Sequence, residues 1–179
     1  MRYFKYILFL LLVPAVTGGQ TAHVEEEKIV YKGTVKLDAL DKEKMFERAK
    51  NALLSNVKGS RETILAEDNE KGMITAKGSI KLASPYHKIR SVEYVFELSA
   101  ENGKYKYRID SVYIKERERG GKTKKTSSGE LLKGMDVSGE SSAITEKLLN
   151  EIDMNFQKLL DLINADMKKS SLEKNSTRD

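Results

Sequence analysis

Apolar and polar residues exchange along this chain with two periods, and the changes of period divide it into elements. Ile29, Tyr31, Val35 and Leu37 alternate with Lys28, Lys32, Thr34 and Lys36, the period of two that marks a half-buried strand. The period then lengthens. From Lys42 to Lys58, Met45, Phe46, Ala49, Ala52, Leu53 and Val57 fall on one helical face, with Glu43, Glu47, Arg48, Lys50 and Asn51 on the other. Asp41 is placed to cap this helix and Gly59 to stop it. Two further strands are predicted over Glu62–Glu67 and Met73–Leu82, joined by a polar turn from Asp68 to Gly72. Pro85 ends the second of them, since proline brings no N–H to a ladder.

Asn102-Gly103 predicts a two-residue hairpin turn of type I′. In that register Glu101 faces Lys104, Ser99 faces Lys106 and Glu97 faces Arg108. On the other side Ala100 meets Tyr105, Leu98 meets Tyr107, Phe96 meets Ile109 and Val92 meets Tyr113. A one-residue slip would mix the faces, so two long strands are expected, near Ile89–Ala100 and Lys104–Ile114. Residues 115–141 then read as a long glycine-rich connector with two readings: a disordered solvated loop, or a segment in which Leu131, Leu132, Met135 and Val137 dock on Val95, Val112 and Ile114 across the polar face. A last helix, capped by Ser142, carries Ile144, Leu148, Leu149, Ile152, Phe156, Leu159, Leu160, Ile163 and Met167 as one apolar stripe. The expected fold is α+β: a twisted antiparallel sheet of about five strands with two helices on one face, in the order β-α-β-β-β-β-α.

The amino terminus changes the count of residues available to this domain. Arg2 and Lys5 precede an apolar run from Tyr6 to Val16 and the small residues Thr17, Gly18 and Gly19. The run suits the core of a signal peptide and is short of the roughly 20 residues that span a bilayer. Cleavage is expected before Gln20. That leaves residues 20–167 as one domain and 168–179 as a polar tail, in a mature protein without a membrane span. No cysteine follows the run, so a lipoprotein anchor has no attachment point, and the chain is expected in the periplasm or outside the cell.

Charge is unevenly distributed. The net charge of +5 would suggest a nucleic-acid partner. However, the leader carries +2 and the tail from Lys168 to Asp179 another +2. The stretch from Lys115 to Lys125 sets six cations against two anions, which leaves −3 for everything else. The basic character therefore lies mainly in one connector. Its residues Lys115, Arg117, Arg119, Lys122, Lys124 and Lys125 are the candidate interaction surface, and an envelope protein, a glycan or an anionic lipid is the partner they suit.

Catalytic chemistry finds little support. With no cysteine there is no disulfide framework, thiolate metal site or cysteine nucleophile. The two histidines, His23 and His87, lie far apart in the sequence, and neither a G-x-S-x-G elbow nor a glycine-rich phosphate loop is present. Asp68, Glu70, Glu93 and Glu97 are carboxylates of the kind a glycosidase pairs, but the first two lie in a turn. The other two share a strand face with lysine and arginine, where cross-strand ion pairs are expected. No catalytic residue, metal ligand or cofactor is assigned. Tyr31, Tyr94, Phe96, Tyr105 and Tyr107 share a face with Ile74, Ile80, Leu98 and Ile109, so they are read as core rather than as a base-stacking strip. The remaining expectations are an interaction module, a carrier of an apolar ligand between sheet and helices and, more distantly, a hydrolase.

Four segments carry a family resemblance: IVYKGTV at Ile29–Val35, MFERAKNAL at Met45–Leu53, DNEKGMITAKGS at Asp68–Ser79 and VFELSAENGKYKYRI at Val95–Ile109. Together they resemble a family of exported bacterial domains of unknown function whose fold is similar to that of the TATA-box-binding protein. The resemblance implies that fold but brings no active site. DNA binding does not follow from it, because the TATA-box-binding protein inserts phenylalanines from its open sheet face, and the polar face here has none.

Overall fold

A computed structural model describes residues 21–25, 28–37, 40–57, 63–84, 88–118, 121–134 and 139–169. The expected leader, Gly59, Glu62, His87, Arg119, Met135, Val137 and the tail beyond Lys169 lie outside them. The elements are β1 (Thr21–Glu25), β2 (Lys28–Lys36), α1 (Lys42–Asn56), β3 (Ile64–Asp68), β4 (Met73–Leu82), β5 (Lys88–Glu101), β6 (Lys104–Glu118), β7 (Thr123–Ser127), α2 (Ser128–Gly134) and α3 (Gly139–Lys169). The seven strands form one antiparallel sheet in the order β1-β2-β6-β5-β4-β3, with β7 also paired to β6. The α+β class and the helix-covered face agree with the sequence reading. The strand count does not, since β1 and β7 were not expected.

Asp41 caps α1 as its position predicts, its Oδ1 accepting from the Lys44 N–H at 2.8 Å. All six apolar positions on the inner side of this helix, from Met45 to Val57, are buried. α3 begins at Gly139, three residues before Ser142, so Ser142 is not its cap. Its stripe is buried from Leu148 onward except for the half-buried Leu149, whereas Ile144 is exposed. Phe156 is wholly buried and meets Tyr31 and Tyr94 edge-on, with ring centroids 4.9 and 5.0 Å apart. The five aromatic residues assigned to the core are all buried beneath the helices. Arg48 Nη1 donates to the Met167 carbonyl at 3.3 Å and Asn56 Nδ2 to Asp166 Oδ2 at 2.7 Å, which joins α1 to the end of α3.

The central hairpin has the expected pairing, Glu101 opposite Lys104, but a different turn. Only Gly103 of the two central residues has a positive φ, 72°, so the turn is not type I′. Tertiary contacts account for the choice. The Gly103 N–H donates to the Leu40 carbonyl, the Leu37 N–H to the Gly103 carbonyl and the Lys42 N–H to Asn102 Oδ1, each at 2.8 Å. The turn is thereby held against the connection from β2 to α1.

Register changes once along β5 and β6. Up to Asp110 the pairs are those expected, but a bulge between Glu93 and Val95 on one strand and Asp110 and Tyr113 on the other sets Val92 opposite Ile114 and Glu93 opposite Tyr113. Ser111 lies in the bulge with a φ of 50°, in the left-handed region. The extra residue reverses the facing of everything beyond it. Val112 and Ile114, expected on the polar face, are therefore buried under the helices, and Tyr113 turns outward. Leu131 and Leu132 pack against that same core, not across the polar face.

Candidate binding surface

The described residues of the stretch expected to be a connector form strand and helix. β6 continues to Glu118 and β7 returns along it, pairing Lys115 with Lys125, Glu116 with Lys124 and Arg117 with Thr123. Both strands borrow one edge of β6, for β2 pairs with Lys104–Ile109 and β7 with Tyr113–Arg117. At the junction the Ile29 N–H donates to Ser128 Oγ at 3.3 Å, and Ser128 is buried.

The six candidate basic residues are not equivalent in this arrangement. Lys115 and Lys125 stand side by side on the outer face and both reach Glu93, at 3.3 and 3.2 Å. Lys125 also lies over the Tyr113 ring, 4.2 Å from its centroid. Arg117 continues the same row and is exposed, as is Lys122 in the turn. Lys124 alternates to the other side, opposite Glu116, whose carboxylate is itself paired with Arg90. Arg119 lies outside the described residues.

Burial raises the pKa of Glu93, but the hydrogen bonds and charges of Lys125 and Lys115 outweigh it and hold the carboxyl below the usual carboxylate range. A lowered carboxyl stabilises the fold above the ordinary glutamate value, about 4.3, and loses that contribution as the pH falls through the lower folded value. Amide protection of β7 should therefore decline below about pH 4 before that of β4 and β5. Hydrogen exchange followed by mass spectrometry checks this, and Glu93→Gln should abolish the difference between the strands.

Among the described residues the candidate catalytic groups do not assemble. His23 is in β1 opposite Val30. Asp68 accepts from the Lys71 N–H at 2.9 Å within its turn, and Glu97 faces Arg108 across the ladder. Among the described residues no group of three or more metal-ligating side chains forms, and no helix is long and apolar enough to cross a membrane. The face between sheet and helices, where an apolar ligand was considered, is occupied by Phe156, Tyr94, Phe96, Met45 and Ile152.

One further feature was not anticipated. Lys28, Ser111, Tyr113, Ser128 and Lys133 are among the residues that line a pocket of about 230 Å³ beside the β2–β7 junction. Its sequence signal was Ser127-Ser128-Gly129-Glu130, a capping box: Ser127 N–H donates to Glu130 Oε2 at 2.7 Å and Glu130 N–H to Ser127 Oγ at 3.2 Å. Ser111 had no such signal, being neither glycine nor asparagine.

Residues 31–115 match the model of DUF4468, a domain of unknown function with a TBP-like fold. The match covers just under half of the chain, and over that segment the chain is similar to this family. The matched segment runs from β2 into β6, so β7, α2 and α3 lie beyond it. Two solved structures share the fold. A DUF4468 family protein from Bacteroides ovatus is 12% identical, with a TM-score of 0.62 over 82% of this chain and 90% of that one. A TBP-like protein from Parabacteroides distasonis is 11% identical, with a TM-score of 0.60 over 80% and 97%. No curated protein matches.

Proposed function

We propose that this protein is an exported, non-catalytic interaction domain that binds an acidic polysaccharide of the cell envelope through the outer sheet face and the β6–β7 hairpin. The observation that carries the reading is the ordered basic row: Lys115, Arg117 and Lys125 are fixed on β6 and β7, with exposed Lys122 between the two strands. Fixed cations lose less conformational freedom on binding a polyanion than a loop would. The leader at residues 1–19 supports export, with residues 20–167 as the mature domain. Engagement of Glu93 by two lysines leaves it poorly suited to acid–base work.

Sedimentation of the protein with polygalacturonate, neutral dextran and phosphatidylglycerol vesicles tests the reading. Binding to the acidic polymer should saturate, weaken with salt as screening shortens from about 10 Å at 0.1 M to about 3 Å at 1 M, and fall at least roughly tenfold in Arg117→Glu/Lys122→Glu. Binding to vesicles alone would replace the glycan with lipid, and retention of an uncleaved chain in the cytoplasm would remove the export reading.

A further inference from the structure

We infer that the acidic polymer is held by its interior, along a track that leaves the β6–β7 hairpin, crosses β5 and reaches Lys81 and Lys77 on β4. This track rests on the function proposed above and gives it a second anchor. The strand registers define it. Lys81 stands opposite Ser91, Ser91 opposite Lys115 and Lys115 opposite Lys125, so one row on the outer face crosses β4, β5, β6 and β7. Neighbouring strands lie about 4.8 Å apart, which makes the row about 14 Å long. Beside it Ser79 faces Glu93, and Lys77 faces Val95 further along the same two strands. Burial fixes the facing of β4. Ala76, Gly78 and Leu82 are buried, whereas Lys77 and Lys81 are exposed, with Ser79 half-buried between them.

Charge points the same way. Among the described residues of this half of the face, Lys77, Lys81, Lys115, Arg117, Lys122 and Lys125 meet a single carboxylate, Glu93. Lys115 and Lys125 share that carboxylate, so the pair retains one net charge. Lys77, Lys81, Arg117 and Lys122 form no ion pair among the described residues. The other half is closer to balance, for Arg108 bonds Asp110, and Lys104 and Lys106 both bond Glu101. Uncompensated cations therefore stand on both sides of the half-neutralised pair, Lys81 and Lys77 on one and Arg117 and Lys122 on the other. That distribution suits a linear polymer whose carboxylates recur along its length, and it gives a single acidic sugar no point at which two free cations converge. The hydroxyls of Ser79 and Ser91 are available to the sugar hydroxyls between them.

Calorimetric titration of the full chain with digalacturonate, hexagalacturonate and polygalacturonate, over a range of salt, tests the track. Lys77→Gln/Lys81→Gln should weaken binding of the hexamer and the polymer at least roughly fivefold. Digalacturonate, too short to reach β4 from the hairpin, should bind both proteins alike. The dependence of log K on log salt should flatten by up to about one unit per lysine removed. Lys36→Gln/Lys158→Gln removes the same charge at exposed positions of β2 and α3 and should change neither quantity. An equal loss in the two variants, an unchanged affinity and salt slope in Lys77→Gln/Lys81→Gln, or an affinity that does not rise with oligomer length would overturn the inference and leave the hairpin function standing. Absence of polymer binding to the unaltered chain would remove both. Phosphatidylglycerol vesicles that need Lys77 and Lys81 while hexagalacturonate does not bind would give this surface to lipid and overturn the polymer track.

Discussion

Phe156→Ala should lower the free energy of unfolding by about 3–5 kcal/mol. The side chain has no exposure and lies between two tyrosines from different strands, Tyr31 on β2 and Tyr94 on β5, so its removal empties a space that the rings cannot close together. A polar neighbour adds to the effect. Burial, and after it the Asp153 carboxylate, pushes the Tyr31 hydroxyl far above the usual tyrosine value, so it stays protonated and hydrogen-bonds Asp153. Water entering beside Phe156 would compete for that bond. Single domains are stable by only about 5–15 kcal/mol, so the variant should be close to unfolding at ambient temperature. Urea denaturation measures the loss, with an unchanged slope expected. Phe156→Leu should lose less, since it keeps most of the volume. A loss under about 1 kcal/mol from the alanine variant would mean that α3 does not pack on the sheet at this point.

Gly78→Ala is expected to destabilise by about 1–3 kcal/mol through the opposite fault, excess volume. Gly78 pairs with Tyr94 across β4 and β5, and the tyrosine ring lies over the place where a side chain would begin. An added Cβ would come within 3.0 Å of the Cζ and hydroxyl of Tyr94, nearer than side chains tolerate. Gly33 has the same relation to Tyr107 across β2 and β6, at 2.5 Å from the hydroxyl. Each glycine is therefore a seat for a tyrosine. A double-mutant cycle with Tyr94→Ala decides the cause. In the alanine background Gly78→Ala should become neutral or stabilising, because glycine in a strand interior is intrinsically weak. A penalty that persists there would place the cost in the backbone rather than the ring.

Both predictions involve elements that were readable from the sequence, and it is instructive which ones were not. α1 and the core strands combine a clear period with local end signals, such as Asp41 before the helix and Asn102-Gly103 between the strands. Beyond Asp110 the same period was misleading. Ser111 carries no glycine or proline to announce a bulge, so Val112 and Ile114 were assigned to the wrong face although their spacing was read correctly. β7 was invisible for another reason. Thr-Lys-Lys-Thr-Ser has no apolar alternation, and it becomes a strand because β6 offers an unpaired edge beyond the end of β2. The candidate basic residues were found from charge alone. Their division between two faces, and the pocket beside them, depended on that pairing.

The bulge at Ser111 also separates two histories of length within one sheet. On its near side the pairing is anchored by the Asn102-Gly103 turn and by β2, and on its far side by β7 and the start of α2. A residue gained or lost in the outer hairpin need not propagate its phase into the core ladder, because the frame is reset at one position. The family match ends at residue 115, within a few residues of that reset. The distal arm can therefore be lengthened, recharged or replaced while the inner sheet retains its inside and its outside.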